Sequence, residues 1–119
     1  MKVFLIDDDE KIQKLVKVIL EKENFILEIS SDAENIVEKI RACKPDIILL
    51  DIKLYGVSGV DAIKEIKNKD EFKNIPVIAF TSYTMKGDKE RFLKMGFDGY
   101  IPKPIDTRNF IKQILNYVK

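Results

Sequence analysis

The chain has 119 residues, 45% hydrophobic and 34% charged, with 21 Lys and Arg against 20 Asp and Glu for a formal net charge of +1. That is the make-up of one ordinary globular domain spanning 1–119, and the balanced charge excludes a global field drawing nucleic acid or a membrane surface. A single cysteine, Cys43, excludes an internal disulfide and a cysteine-rich zinc site, and the lack of histidine removes the usual general base and any self-supplied phosphohistidine.

The first apolar run, Val3 to Ile6, is too short for a signal peptide or a membrane span, so a cytoplasmic protein without membrane insertion is expected. It ends in four consecutive acids, Asp7, Asp8, Asp9 and Glu10. Asp9 and Glu10 suit the start of a helix whose stripe is Ile12, Leu15, Val16, Ile19 and Leu20. Asp7 and Asp8 instead leave the end of a buried strand. Phe25 to Ser30 alternate as an edge strand should, with Phe25, Leu27 and Ile29 on the inner side. Ser31 and Glu34 have capping-box spacing ahead of a helix carrying Ala33, Ile36, Val37 and Ile40. Cys43 falls at that helix's end as a packing residue.

Ile47, Ile48, Leu49 and Leu50 form an unalternating run, as in a strand buried on both faces, and Asp51 follows directly. An isolated aspartate here would be a turn residue or helix cap. Ser58 and Asp61 repeat the capping spacing before a third helix with Val60, Ile63 and Ile66. Gly56 and Gly59 serve the turn, and neither GxxxxGK[ST] nor GxGxxG occurs. Pro76 opens a further buried run, Val77 to Phe80, which ends in Thr81 and Ser82. A weakly amphipathic helix anchored by Phe92, Leu93 and Met95 comes next. Tyr100 and Ile101 make a short last strand ending in Pro102, Lys103 and Pro104, and the final helix packs through Phe110, Ile111, Ile114, Leu115 and Val118.

Five strands alternating with five helices imply a three-layer α/β fold, a parallel sheet covered on both faces. Ligands of such sheets bind beyond the carboxyl ends of the strands, where this pattern delivers Asp7, Asp8, Asp51, Thr81 and Lys103 from four different strands. Singly, Thr81 reads as a strand-end cap, Lys103 as a solvated lysine and Tyr100 as packing; together they read as a site. Two or three carboxylates brought close need a cation, and oxygen-only donors describe Mg2+ rather than zinc or copper.

In VFLIDDDE, PDIILLDIKLYGVSG, IPVIAFTS and GYIPKPI, over essentially its whole length, the chain resembles the response-regulator receiver domain of two-component signalling. TSYTMKGD is similar to the version in hybrid-kinase receivers and stand-alone relay regulators. The resemblance implies a flavodoxin-like (βα)5 fold with strand order 2-1-3-4-5. It implies Asp51 as the acceptor of a phosphoryl group from a histidine kinase or histidine phosphotransfer protein, and Asp7, Asp8, Asp51 and the Lys53 backbone carbonyl as holders of Mg2+. Thr81 and Lys103 would contact the phosphoryl group, Thr81 and Tyr100 would form the switch, and Lys103-Pro104 would be a cis peptide. Lys53 and Tyr83 occupy the positions that govern water access, and both being large, a slowly hydrolysing phosphoryl group is expected. Tyr55, where the family usually has proline, and Pro102, often a small or polar residue, depart from the pattern without removing a reacting group.

The implied function is a phosphorylation-controlled switch rather than an enzyme acting on other substrates. Its output would be protein binding through the face of the fourth helix, last strand and last helix, by a monomer or weak dimer that does not contact nucleic acid. A haloacid-dehalogenase-like phosphatase would carry a second acid two positions after the nucleophile, where Lys53 stands, and would need a substrate-enclosing cap. A receiver-like binding module independent of phosphorylation is the remaining alternative.

Overall fold

The computed structural model describes residues 1–53, 58–82 and 87–118. Five strands, β1 (Lys2–Ile6), β2 (Ile26–Ser30), β3 (Ile47–Leu50), β4 (Val77–Thr81) and β5 (Gly99–Pro102), form one sheet in the order β2-β1-β3-β4-β5, and every pairing is parallel. The helices are α1 (Glu10–Lys22), α2 (Ile36–Cys43), α3 (Gly59–Lys67), α4 (Asp88–Met95) and α5 (Phe110–Tyr117), and a 3-10 turn at Asp70–Phe72 precedes β4. This is the flavodoxin-like architecture expected from the sequence.

The unalternating strands are explained by two separate cores. On one face Phe4, Ile6, Ile48, Leu50, Val77 and Ala79 pack with α2, α3 and α4 through Ile36, Ile40, Ile63, Ile66 and Phe92. On the other, Val3, Leu5, Ile47, Leu49, Ile78 and Phe80 pack with α1 and α5 through Val16, Leu20, Phe110 and Ile114. Successive strand residues point to opposite faces, so a strand covered on both sides has no position left for a polar residue. Cys43 is buried at the end of α2, where burial pushes its thiol pKa up.

Helix starts follow the sequence at two of three places. Asp9 caps α1, its carboxylate accepting the Lys11 N–H at 2.9 Å, and the Ser58 hydroxyl accepts the Asp61 N–H at 3.2 Å at the start of α3. The Ser31–Glu34 capping box does not form. The Asp32 carboxylate takes the Glu34 N–H at 3.0 Å, the Ser31 hydroxyl is bonded to Gln13, and α2 begins only after Asn35, which adopts a left-handed conformation. A short acidic side chain two residues ahead of an N–H competes directly with a cap three residues ahead. Three expected packing residues also face outward: Leu15 is 37%, Leu93 46% and Leu115 45% exposed. β2 starts at Ile26 rather than Phe25, and Ile29 is 38% exposed because an edge strand is covered less than a central one.

Candidate functional site

Strand register brings the polar residues together. Ile6 lies beside Leu50 and Leu50 beside Ala79, so the next residues of β1 and β3, Asp7 and Asp51, emerge side by side, while Thr81 ends β4 two residues on. The Asp51 N–H donates to the Ile6 carbonyl at 3.0 Å, which extends the ladder one step past the strands and locks the backbone of the two acids to each other. Lys103 follows β5, and its N–H donates to the Thr81 carbonyl at 2.9 Å. The Lys103–Pro104 peptide bond is cis.

Asp7 is fully buried and Asp51 only 7% exposed, unusual burial for carboxylates, and the neighbouring Thr81 is 1% exposed. One carboxylate oxygen of Asp7 accepts the Asp9 N–H at 2.9 Å, and the other accepts Lys103 Nζ at 2.5 Å. Asp51 accepts the Lys53 N–H at 3.1 Å on one oxygen and faces Lys103 Nζ at 3.4 Å with the other. The Lys103 ammonium also sits 5.0 Å from the centre of the Phe80 ring, a favourable cation–π placement that steadies it between the two acids. Carboxylate oxygens of Asp7, Asp8 and Asp51 all lie within 4.8 Å of one another.

Two of the three clustered carboxylates, Asp7 and Asp51, therefore share the Lys103 ammonium. Burial pushes the Asp51 carboxyl above its ordinary range; Lys103 opposes this, and the neighbouring Asp7 charge adds to it. An all-oxygen donor set with surplus negative charge fits a hard divalent cation such as Mg2+, and the chain offers no histidine and no cysteine to the cluster that would favour a softer metal.

Tyr100 is half-buried on β5, with its ring centre 5.9 Å from that of Phe92 on α4. Its carbonyl accepts the Tyr117 hydroxyl at 3.3 Å, so it is held from α4 and α5 at once. Tyr55 and Tyr83 lie outside the described residues.

Two residues of the site gave no signal in the sequence. Gly59 was expected to serve a turn, yet it is the first residue of α3 and lies against the Asp51 backbone: an added Cβ would collide with the Asp51 carbonyl oxygen and come within 2.6 Å of the Ile52 Cα. Gln13 of α1 reaches back to the Asp7 carbonyl. Both depend on distances that only the folded chain defines.

Comparison with known proteins comes to the same place. The family model described as the response regulator receiver domain matches residues 3–115. The polar-differentiation response regulator DivK of Brucella anthropi is 37% identical over 116 residues, covering 98% of this chain and 94% of that protein. Among solved structures, the Vibrio cholerae chemotaxis response regulator CheY4 superposes with a TM-score of 0.89 at 21% identity over 98% of both chains. The receiver domain of the sensor histidine kinase PA1611 from Pseudomonas aeruginosa, solved with a magnesium ion coordinated in its active-site cleft, superposes with a TM-score of 0.86 at 23% identity, covering 98% of this chain and 95% of that one. No helix among the described residues is long and apolar enough to cross a membrane.

Proposed function

The chain belongs to the response-regulator receiver family of two-component signalling, and from that premise we propose that it is a phosphoacceptor switch whose acceptor is Asp51. The observation that carries the reading is the cluster of Asp7, Asp8 and Asp51 carboxylates at the carboxyl end of the sheet, with the Lys103 ammonium paired to Asp7 and Asp51.

Phosphoryl transfer runs through a loose transition state with charge on the equatorial oxygens, so the protein needs to position and neutralise rather than to form extra bonds. An Asp51 oxygen forms the new O–P bond while the N–P bond to a phosphohistidine of the donor breaks and the imidazole leaves. Because the carboxylate attacks already ionised, no general base is required, consistent with a chain that has no histidine. Asp7, Asp8, Asp51 and the Lys53 carbonyl would hold Mg2+, which would supply charge neutralisation at the transferring group. Lys103 moves its hydrogen bonding from the carboxylates to the phosphoryl oxygens, and the Thr81 hydroxyl bonds to the group from the end of β4.

The donor is a sensor histidine kinase or histidine phosphotransfer protein, and the output is protein binding on the face of α4, β5 and α5, in the cytoplasm. Thr81 and Tyr100 carry the change between states. A shift from 1:99 to 99:1 requires about 5.5 kcal/mol of differential interaction, which the contacts of Thr81 and Lys103 with the phosphoryl group provide. Thr81→Ala should accept phosphate yet lose output binding; equal output from both proteins would break the coupling.

The acceptor itself is tested by intact-mass spectrometry after incubation with acetyl phosphate and Mg2+. One phosphoryl increment is expected in the wild type and none in Asp51→Asn or without the cation. No increment from several donors in a folded protein would favour the phosphorylation-independent binding module.

A further inference from the structure

Asp7 is a fully buried residue whose polar groups are all engaged. Its N–H donates to the Ser30 carbonyl at 3.0 Å, and its carboxylate oxygens accept from Asp9 and Lys103. Its carbonyl is bonded by a side chain from the first turn of the following helix: Gln13 Nε2 donates to it at 2.6 Å and reaches the Ser31 hydroxyl at 3.1 Å. A carbonyl oxygen can only accept, so the nitrogen end of the Gln13 carboxamide must face it.

The consequence is geometric. The Asp7 carbonyl and the Asp8 N–H belong to one planar peptide unit, and fixing one end of the plane fixes the other and the Cα of Asp8 with it. Asp7 is held at both its carboxylate oxygens, whereas Asp8 extends from this peptide toward the carboxylates of Asp7 and Asp51, all three within 4.8 Å. Ser31 extends the same clamp to the segment after β2.

We infer that Gln13 is a positioning residue for the cation site, orienting the Asp7–Asp8 peptide so that the Asp8 carboxylate stays within reach of a divalent cation bound by Asp7 and Asp51. This rests on the Mg2+ site proposed above. Gln13 touches neither the cation nor the reacting atoms; it acts through the peptide between the two acids. Residues that orient metal ligands from behind typically change affinity 10- to 100-fold when removed, and a clamp on the backbone belongs at the low end of that range.

The test is calorimetric titration of the cation-free protein with Mg2+, for the wild type, Gln13→Met and Gln13→Asn, beside thermal unfolding of the same proteins without the cation. Gln13→Met keeps the side-chain length without a donor, and Gln13→Asn keeps a polar amide too short to reach the carbonyl, so one of the two serves if the other fails to fold. The expected result is a Mg2+ dissociation constant raised about tenfold, a loss that a merely structural contribution to folding would not produce. A dissociation constant within twofold of the wild type in a folded variant would overturn the inference, whatever happened to the unfolding midpoint. A wild type that binds no Mg2+ would overturn the proposed cation site itself and the inference with it.

Discussion

The two ends of the sheet use the same residue type in opposite ways. At the amino end, Asp46 ahead of β3 accepts the Lys2 N–H at 2.8 Å, and Asp98 ahead of β5 accepts the Val77 N–H at 2.8 Å and Lys67 Nζ at 2.9 Å. Each of these acids stands alone, is partly exposed and has its own donors, so its charge is matched where it lies. At the carboxyl end, the carboxylates of Asp7, Asp8 and Asp51 crowd within 4.8 Å of one another, and Asp7 and Asp51 both face Lys103. Matched acids hold a fold together; crowded acids at a partly buried site cost stability that a bound cation would recover.

Gly59 and Gly99 make the largest contrast between the ends. A Cβ at Gly59 meets the Asp51 carbonyl and the Ile52 Cα, both backbone, whereas the three atoms nearest to one at Gly99 all belong to the Tyr117 side chain, with the hydroxyl at 2.6 Å, and that side chain can swing away. Gly59→Ala should therefore cost about 2–3 kcal/mol and slow phosphorylation of Asp51, and Gly99→Ala about 1 kcal/mol with the site intact. Chemical denaturation and phosphorylation rates measured on both variants check the order, and a reversal would mean that the Asp51 backbone is not fixed by α3.

Charge removal should have opposite signs at the two ends. Asp51→Asn without a divalent cation is expected to stabilise the protein by about 1 kcal/mol at pH 7, while Asp98→Asn should destabilise it by about 0.5–1 kcal/mol through weaker hydrogen bonds. The pH dependence follows from the raised Asp51 carboxyl. The folded state holds that proton more tightly than the unfolded chain, so Asp51 subtracts stability as pH rises from the ordinary value of 3.8 through the raised folded value. The advantage of Asn should be absent below this window and full above it, as denaturation at several pH values would read out.

The smallest effect belongs to Tyr117. Its 3.3 Å bond to the Tyr100 carbonyl is long, so Tyr117→Phe should change stability by no more than about 0.5 kcal/mol. A larger loss would show that α5 holds the half-buried Tyr100 more firmly than the distance indicates.

The contrast between the ends was largely legible in the sequence, because an acid directly after a buried run points to the carboxyl edge of a parallel sheet and an acid before it does not. Asp7, Asp51 and Thr81 were placed that way, and the unbroken runs around them reflect the two cores. What failed to show were contacts settled by competition or by distance across the fold. Ser31 lost its capping role to Asp32, and Leu15, Leu93 and Leu115 extend apolar stripes wider than the surface each helix covers. Gly59 and Gln13 owe their roles to elements far along the chain or folded back on it.

Surplus charge on the carboxyl-end acids, and its relief by a cation, would register in the thermal midpoints of the wild type and Asp51→Asn with and without Mg2+ at pH 7. Asp51→Asn should melt higher without Mg2+, and Mg2+ should raise the wild type far more than the variant, closing or reversing the gap. A wild type that melts at the same temperature with and without millimolar Mg2+, and no lower than Asp51→Asn, would contradict both.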